Sequence, residues 1–446
     1  MGGGTIGTTS GHDKRMIIPG PRVIDSGRAE VEVAPMSSLP RAQAYAFYLL
    51  SVLPLAMAIA NRSAPALLVA AALCSVLGRI LVGEGRLVWE RLDAGVRSPA
   101  GLAGFAFVGF AVASVAWSHE PRLAMRALGE AGIALAAASL LGAGLPRDIP
   151  RTALRLAAVA TILGCGIILA ELSTGLAGRA ALGLRAESYI FKRSVTSILI
   201  VFWPVASSLW RSGDRALAAL PGLLLLAAIL GSHAAAALLG LAAGLVCFLL
   251  ACAAPRVAAM VTAGGVVAAF ALAPIVGDFA ARTLPDRALD TLRDSQARER
   301  ILIWQSFGSV VRARPIGGTG FGTSGATGRD PVAGEVPDDR RTMLAVGHPH
   351  NGFLQIWSET GAAGAVAGAA VLLLLVRKVS RWPKPRMAPA LAVLATASAV
   401  MLVAHGAWQG WWIATLGAAA IWLARGGDPP QSSVSSALPR KPIAST

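Results

Sequence analysis

The segment with the clearest potential for chemistry is 348–364, where two histidines and an asparagine stand before an apolar run. Pro349 is typical of the first turn of a helix, so His350 and Asn351 are predicted near a helix N-terminus. Unpaired backbone N–H groups and the positive end of the helix dipole favour an anion there. Glu359 follows Asn351 by eight residues, about two turns, which predicts both on one helix face.

An acid this deep in an apolar run is costly unless it is paired, which makes Glu359 a candidate site residue. His348 stands beside His350 as a candidate substrate contact. The alternative is that the histidines cap a helix and that Glu359 bonds to a neighbour. Gly361 and Gly364 are predicted to let another helix approach closely.

A second candidate segment begins at Arg298 and Arg300 and continues into a glycine-rich stretch at 315–322. Guanidinium groups bind phosphate through paired hydrogen bonds, so we consider Arg300 a phosphate clamp and Arg298 a further substrate contact. The alternative for Arg300 is a surface ion pair. The glycines lack the Gly-Lys-Ser/Thr pattern and the preceding strand of a nucleotide loop, so they predict tight turns.

A third cluster of charge lies just before another apolar run, with a net charge of +3: Arg179, Arg185, Glu187, Lys192 and Arg193. Arg193 is followed at once by apolar residues, which predicts that it lies at a membrane surface. A polyanionic ligand would explain this density of positive charge. The alternative explanation is contact with lipid head groups.

The composition indicates which class of protein positions these residues. The chain has 446 residues, of which 55% are hydrophobic and 14% charged, and its mean hydropathy is +0.61. Soluble domains carry about 25% charged residues, so an ordinary soluble enzyme is excluded. The net charge of +16 would suggest nucleic acid in a soluble protein. In a membrane protein it is typical of basic cytoplasmic loops, and we expect no nucleic-acid partner.

The apolar residues fall in runs of about 20, the length of a membrane-spanning helix. The sequence therefore predicts an all-α polytopic membrane protein with about twelve spans. These are predicted near 42–60, 64–83, 99–117, 123–142, 153–172, 194–210, 215–231, 234–252, 257–277, 351–376, 388–404 and 406–424.

The predicted domain organisation follows from these spans. It comprises a disordered cytoplasmic tail, nine spans, a long periplasmic loop, three spans and a second disordered cytoplasmic tail: 1–40, 41–277, 278–350, 351–425 and 426–446. With both tails in the cytoplasm, the inside segments carry about three times as many Lys and Arg as the short outside segments. This asymmetry predicts that both tails lie inside, and that the long loop and the candidate site lie outside, which is the periplasm if the cell is Gram-negative.

The histidine segment resembles a known family signature. His350-Asn351, followed after nine residues by Gly361-x-x-Gly364, is similar to the H-N-x9-G-x-x-G motif of the O-antigen ligase superfamily. Other elements of that family have counterparts in the same order: W-S-x-x-P at 117–121, R-x-x-x-W at 300–304 and P-l-x-G-x-G-x-G at 315–322. The resemblance covers roughly residues 110–375.

The resemblance implies a C-type membrane glycosyltransferase that uses no metal and no cofactor. Ligases of the family move a glycan from an undecaprenyl pyrophosphate donor to a lipid A–core acceptor. Polymerases join two lipid-linked repeat units, so the acceptor would be a second glycan-lipid. Departures from the family pattern at 232–233 and 365–366, and at Arg193 where many members have Asn, bear on the acceptor.

The residues themselves suit such a transfer. A histidine can remove the proton of an acceptor hydroxyl near neutral pH, and arginines can stabilise a departing pyrophosphate. We therefore expect His350 to act as the base, with Arg300 and Arg193 as pyrophosphate clamps. Direct attack would invert the anomeric centre. The remaining candidates are assigned to substrate binding or to holding the base: Arg185, His348, Asn351, Glu359 and Arg298.

Two alternatives stay open at this point. A polymerase of lipid-linked O-antigen or exopolysaccharide units fits the same motifs as a ligase. A polysaccharide or lipid transporter would also suit about twelve spans. A transporter needs polar groups along a path through the membrane, whereas the suggestive polar residues here gather at one face.

Overall fold

The computed structural model describes residues 1–2, 41–291, 296–404 and 406–425. The regular structure in these ranges is helical, and they contain no strand. The two tails predicted to be disordered lie outside the described residues, apart from the first two positions. The all-α prediction is confirmed for the part of the chain that the structure describes.

Nineteen α-helices, several of them joined by short 3-10 turns, follow one another along the described chain. Their bounds are α1 Arg41–Ser51, α2 Leu53–Ile59, α3 Ala64–Leu81, α4 Gly85–Val96, α5 Pro99–Ala113, α6 Pro121–Gly144, α7 Arg151–Ser173, α8 Ala177–Ala181, α9 Phe191–Arg211, α10 Arg215–Gly231, α11 Ala235–Ala253, α12 Pro255–Leu272, α13 Val276–Thr283, α14 Asp286–Thr291, α15 Ala297–Ala313, α16 Asp338–Arg341, α17 Gly352–Val379, α18 Lys384–Val403 and α19 Gly410–Arg425.

Nine helical stretches of the described chain are long and apolar enough to cross a membrane. A tenth span is possible if α1 and α2, bent by 47° at their junction, are counted together. Pro54, the second residue of α2, has no backbone N–H to donate to the preceding turn, which accounts for the bend. The other two predicted spans are α10 and α19, with 17 and 16 residues. The protein is thus multi-pass, with about nine spans where twelve were expected.

Hydrogen bonds between connections show which helix ends lie together. The side chain of Asn61, after α2, donates to the Ile190 carbonyl before α9 at 2.9 Å. Trp117, after α5, donates to the Gly317 carbonyl at 3.2 Å. His350, before α17, contacts the Ala404 carbonyl after α18 at 3.2 Å. We call this end of the helices the motif end, because all the predicted motifs lie there.

Arginines hold the opposite end together, which we call the basic end. The guanidinium groups of Arg79, Arg91 and Arg425 donate to the last carbonyls of α6, and Arg211 donates to the Pro385 carbonyl at 2.8 Å. Helix C-termini leave such carbonyls unpaired, and cations there also interact favourably with the helix dipole. Arg79 therefore lies at a helix end, although the sequence placed it inside the second span.

The largest core cluster surrounds α9, whose side chains are mostly buried. Helices α2, α7, α10, α18 and α19 all pack against it. Trp411 and Trp412 belong to this core, with 5% and 1% of their surface exposed. Tryptophans near the end of a span are typical of an interfacial aromatic belt, but these two are buried in the core and do not face lipid.

The segment predicted as a long loop, 278–350, is largely helical in its described part. Its start falls inside α13. Phe307 and Val310 on α15 pack with Val332, Leu344 and the Phe353 side chain of α17 into a second core. This core fixes the histidine segment, since residues 347–351 connect directly to α17.

Candidate active site

The helix that follows the histidines is broken at Gly361, whose φ of 60° and ψ of −161° lie outside the helical region. In an unbroken helix, the Ser358 and Glu359 carbonyls would accept from the N–H groups four residues later. They accept instead from the N–H groups of Thr319 and Gly320, at 3.0 and 2.8 Å. The glycine-rich segment thus occupies the gap in the helix.

The backbone of α17 also donates hydrogen bonds to the glycine-rich segment. The N–H groups of Ala362 and Ala363, released by the break, donate to the Pro315 and Ile316 carbonyls at 2.8 and 3.4 Å. A Cβ on Gly361 would collide with the Ile316 carbonyl, so only glycine fits there. The expectation that Gly361 and Gly364 admit another helix is therefore wrong. The glycine-rich segment approaches Gly361, and Gly364 faces the Thr360 side chain of its own helix.

The glycine-rich segment turns tightly, as predicted, with positive φ at Gly318, Gly320 and Gly322. Side chains at the end of α5 hold its other face. The Phe321 N–H donates to the Ser114 hydroxyl at 2.9 Å, and the Trp117 ring donates to the Gly317 carbonyl. Three motifs far apart in the sequence are therefore parts of one backbone arrangement.

Glu359 is fully buried and accepts hydrogen bonds from five groups. They are the Gly322 N–H at 2.6 Å, the Ser324 N–H at 3.2 Å, the Ser324 hydroxyl at 2.5 Å, the Gln355 amide at 2.8 Å and the Trp408 ring at 2.5 Å. None of these donors is His350. Glu359 thus secures the glycine-rich segment and the connection before α19 instead of holding the base directly.

Asn351 is the N-cap of α17. Its side-chain oxygen accepts from the N–H groups of Phe353 and Leu354, both at 3.0 Å. The helix begins at Gly352, so Pro349 stands before the first turn and not in it. Because Asn351 occupies two of the free N–H groups, the helix end is a weaker anion site than the sequence suggested.

The two histidines form a pair whose ring centroids lie 4.2 Å apart. The His350 N–H donates to Nδ1 of His348 at 3.1 Å, so a neutral His348 ring carries its hydrogen on Nε2. Nδ1 of His350 lies 3.2 Å from the Ala404 carbonyl, which can only accept, so a neutral His350 keeps its lone pair on Nε2. One ring therefore offers a donor and the other an acceptor at the same ring position.

Both rings favour the neutral form. Burial lowers the pKa of His348 to about 4, and the charges of His350 and Arg193 contribute. Burial also lowers the pKa of His350; the Ala404 carbonyl opposes this and the charge of Arg300 adds to it. A neutral His350 with its lone pair on Nε2 is the form that a general base requires.

Two arginines interact electrostatically with this pair from different helices. Arg193 stands in the first turn of α9, and Arg300 in the first turn of α15. Neither has a hydrogen bond or an ion pair with the described residues, although Arg193 stacks on the Trp411 ring at 5.9 Å. Burial lowers the pKa of Arg300. A half-buried guanidinium without a carboxylate is costly unless an anion satisfies it.

Two further predicted contacts are already engaged. Arg298 is exposed and bonds Asp290 and Asp286 on α14 at 3.0 and 3.1 Å, and these carboxylates raise its pKa. Arg185 is exposed and bonds Glu187 at 3.2 Å. The structure does not bring Arg298 into the histidine cluster.

A cavity of about 540 Å³ opens at the motif end beside Arg193. Its cationic lining contains three arginines of the predicted charge cluster, Arg179, Arg185 and Arg193, and one further arginine, Arg62. Arg62 interacts electrostatically with Arg193, and its side chain has no bonded partner among the described residues. Its position in a short connection at the motif end was the only sequence signal for it.

Residues 220–367, about a third of the chain, match a family model described as O-antigen ligase. The matched range contains Arg300, the glycine-rich segment, both histidines and the break at Gly361, whereas the element at 117–121 precedes it. A search of curated proteins found none that matches this sequence. The geometry and the family match agree on the same residues. This part of the chain is similar to the O-antigen ligase family, and the match indicates a membrane protein of the ligase or polymerase type.

Proposed function

We propose that this protein transfers a glycan from undecaprenyl pyrophosphate to the lipid A–core of lipopolysaccharide. One observation carries the proposal: a buried histidine pair, whose pKa values are lowered, interacts electrostatically with two guanidinium groups that have no carboxylate partner among the described residues. The reaction requires a base that removes the proton of the acceptor hydroxyl and cations that stabilise the departing pyrophosphate. The match of residues 220–367 to the O-antigen ligase family supports this class of enzyme. The donor, the acceptor and a periplasmic site in the inner membrane are part of the proposal.

In the proposed step, Nε2 of His350 takes the proton of an acceptor hydroxyl. The hydroxyl oxygen attacks the anomeric carbon of the donor, and the bond from that carbon to the pyrophosphate oxygen breaks. Arg300 and Arg193 stabilise the charge on the leaving undecaprenyl pyrophosphate, in a partly dehydrated site where such charges act strongly. Attack opposite to the leaving group inverts the anomeric centre.

The remaining residues have supporting roles. His348, with its Nε2–H, is proposed to donate to the acceptor or donor sugar. Arg185, with Arg62, is proposed to extend the anion-binding surface along the cavity, and Arg298 stays a more distant substrate contact. Asn351 and Glu359 act as positioning residues, because the first caps α17 and the second secures the glycine-rich segment.

The test uses purified protein in detergent with undecaprenyl pyrophosphate-linked glycan, with and without lipid A–core, in the presence of EDTA. We expect glycan to appear on the core, and Arg300→Ala to lower the rate about 10²- to 10³-fold. Arg312→Ala is the matched control on the same helix, because Arg312 is exposed and bonds Asp278. Equal rates for the Arg300→Ala and Arg312→Ala proteins would remove Arg300 from the mechanism.

The same assay separates the alternatives. Elongation of the lipid-linked glycan without core would identify a polymerase, which is the closest competing function. Absence of transfer by a folded protein, together with movement of the lipid-linked glycan across reconstituted vesicles, would identify a transporter.

A further inference from the structure

A second large cavity, of about 650 Å³, lies between α9, α10, α11 and α18. Its walls are mostly apolar and include Phe202, Trp203, Phe248 and Leu249. The cavity reaches Arg211, which lies 18 residues along α9 from Arg193. At 1.5 Å per residue, this separation is about 27 Å, close to the thickness of the hydrocarbon core of a bilayer. The cavity and the candidate active site therefore belong to opposite leaflets.

Two cationic side chains lie at the mouth of this cavity. Lys384 is exposed on its edge, and the Arg211 guanidinium is fixed by bonds to the Ser207 hydroxyl and the Pro385 carbonyl, both at 2.8 Å. The neighbouring carboxylate, Asp214, is already neutralised by two bonds of 3.0 Å to Arg155. Lys384 has no ion pair with the described residues, so its positive charge stays available at the mouth.

An apolar slot with a cationic edge is complementary to a lipid with an anionic head group. Acyl chains would fill the space beside the aromatic side chains, and the phosphate would meet Lys384. Trp210, which is 56% exposed at the same edge, has the amphipathic ring that favours a membrane interface. We propose that this cavity is a binding site for an anionic phospholipid in the leaflet opposite to the active site.

The site is independent of glycan transfer, so its test measures lipid. The full-length protein, purified in detergent, is equilibrated with equal amounts of phosphatidylglycerol and phosphatidylcholine, and retained lipids are counted by native mass spectrometry. We expect the wild-type protein to retain phosphatidylglycerol in preference. Lys384→Glu should weaken this retention about fivefold or more, since even neutralising one cation near an anionic membrane has about a fivefold effect.

Two further variants sharpen the result. Ala219→Phe, at an exposed position of the wall, should reduce retention of phosphatidylglycerol by filling the slot without changing any charge. Arg86→Glu changes the charge equally on the exposed helix α4, which packs against α3, α5 and α6 away from the cavity. It should retain lipid as the wild-type protein does.

Equal retention of the two lipids by the wild-type protein would overturn the proposal. So would equal loss of phosphatidylglycerol in the Lys384→Glu and Arg86→Glu proteins. If Ala219→Phe changes the oligomeric mass and leaves lipid retention unchanged, a second copy of the chain occupies the cavity instead. Because Lys384 and Ala219 are exposed, both variants are expected to fold, and thermal unfolding of each protein checks this.

Discussion

The two histidines have different chemical capacities although they are identical side chains. A backbone N–H bonded to Nδ1 leaves His348 with a donor at Nε2, whereas a backbone carbonyl at Nδ1 leaves His350 with an acceptor at Nε2. The positive φ of His350, 51°, sets this arrangement by turning its N–H back towards His348. Backbone contacts, and not the side chains alone, therefore decide which ring can accept a proton.

Replacement of His350 by asparagine tests this directly. Asparagine tolerates positive φ, and its amide nitrogen can replace Nδ1 in the bond to the Ala404 carbonyl, but it has no atom equivalent to Nε2. We expect His350→Asn to keep the melting temperature and to lower the transfer rate about 10²-fold or more. A rate near that of the wild-type protein would show that His350 is not the base.

The lowered pKa values predict a pH dependence with a definite sign. Transfer requires neutral His350, so the rate should fall on acidification with a midpoint below the ordinary histidine pKa of about 6.5. A rate–pH profile measures this. A midpoint above 6.5 would contradict the effect of burial.

His348 predicts a pH dependence of stability. Its ring is neutral in the folded protein down to a pKa of about 4, but it binds a proton below about 6.5 when the chain is unfolded. The free energy of unfolding should therefore decrease as the pH falls from 6.5 towards 4. His348→Asn should weaken the dependence of the melting temperature on pH between 6.5 and 4, as measured by thermal unfolding at several pH values.

At the scale of elements, the site depends on a helix that is broken and repaired by another segment. Ser358 and Glu359 lose their intrahelical partners at Gly361 and gain new ones in the glycine-rich segment. Each side of the exchange satisfies backbone groups that would otherwise be buried without partners. This reciprocity explains why the two glycine motifs occur together in one chain.

Gly361→Ala should therefore be strongly destabilising. The added Cβ would meet the Ile316 carbonyl, and alanine does not favour a φ of 60° with a ψ of −161°. We expect a loss of about 2–4 kcal/mol in the free energy of unfolding, together with lower transfer. Gly166→Ala is the control, because a Cβ at this helical glycine meets nothing within 4 Å. Equal melting temperatures for the two variants would show that the contact between Gly361 and the glycine-rich segment does not stabilise the protein.

At the scale of the whole described chain, the candidate site and the arginines that fix the helix packing lie at opposite ends of the helices. The motif end has arginines without carboxylate partners, whereas arginines at the basic end bind helix carbonyls. The first group is available to a ligand and the second group fixes the packing of the helices. The excess of positive charge in the sequence therefore has two different causes.

Cysteine labelling checks the proposed orientation. In a background without the four native cysteines, Asp338→Cys at the motif end should react with a membrane-impermeant maleimide in intact spheroplasts. Arg97→Cys, in the connection before α5, should react only after permeabilisation. Both side chains are largely exposed, so access depends on the side of the membrane. The reverse pattern would place the active site in the cytoplasm.

Part of the arrangement of the candidate site was predictable, because the motifs combine unusual residue types at definite spacings. His350, Arg300 and Arg193 are brought together as the sequence indicated. The role of Glu359 was not predictable, since its five donors come from residues 322 to 408. Arg62 was missed for the same reason, because only packing brings its connection beside Arg193.

The sequence by itself determined that the described chain is helical and multi-pass, and it indicated the candidate site residues at one end. Hydropathy, charge asymmetry and short motifs are properties of residues that are close together in the sequence, so they can be recognised without knowledge of the tertiary structure. Only the tertiary structure decided the break at Gly361, the tautomers of the histidines and the burial of Trp411 and Trp412. Each of these depends on contacts between residues distant in sequence, and the free energy of such contacts exists only when the helices are packed.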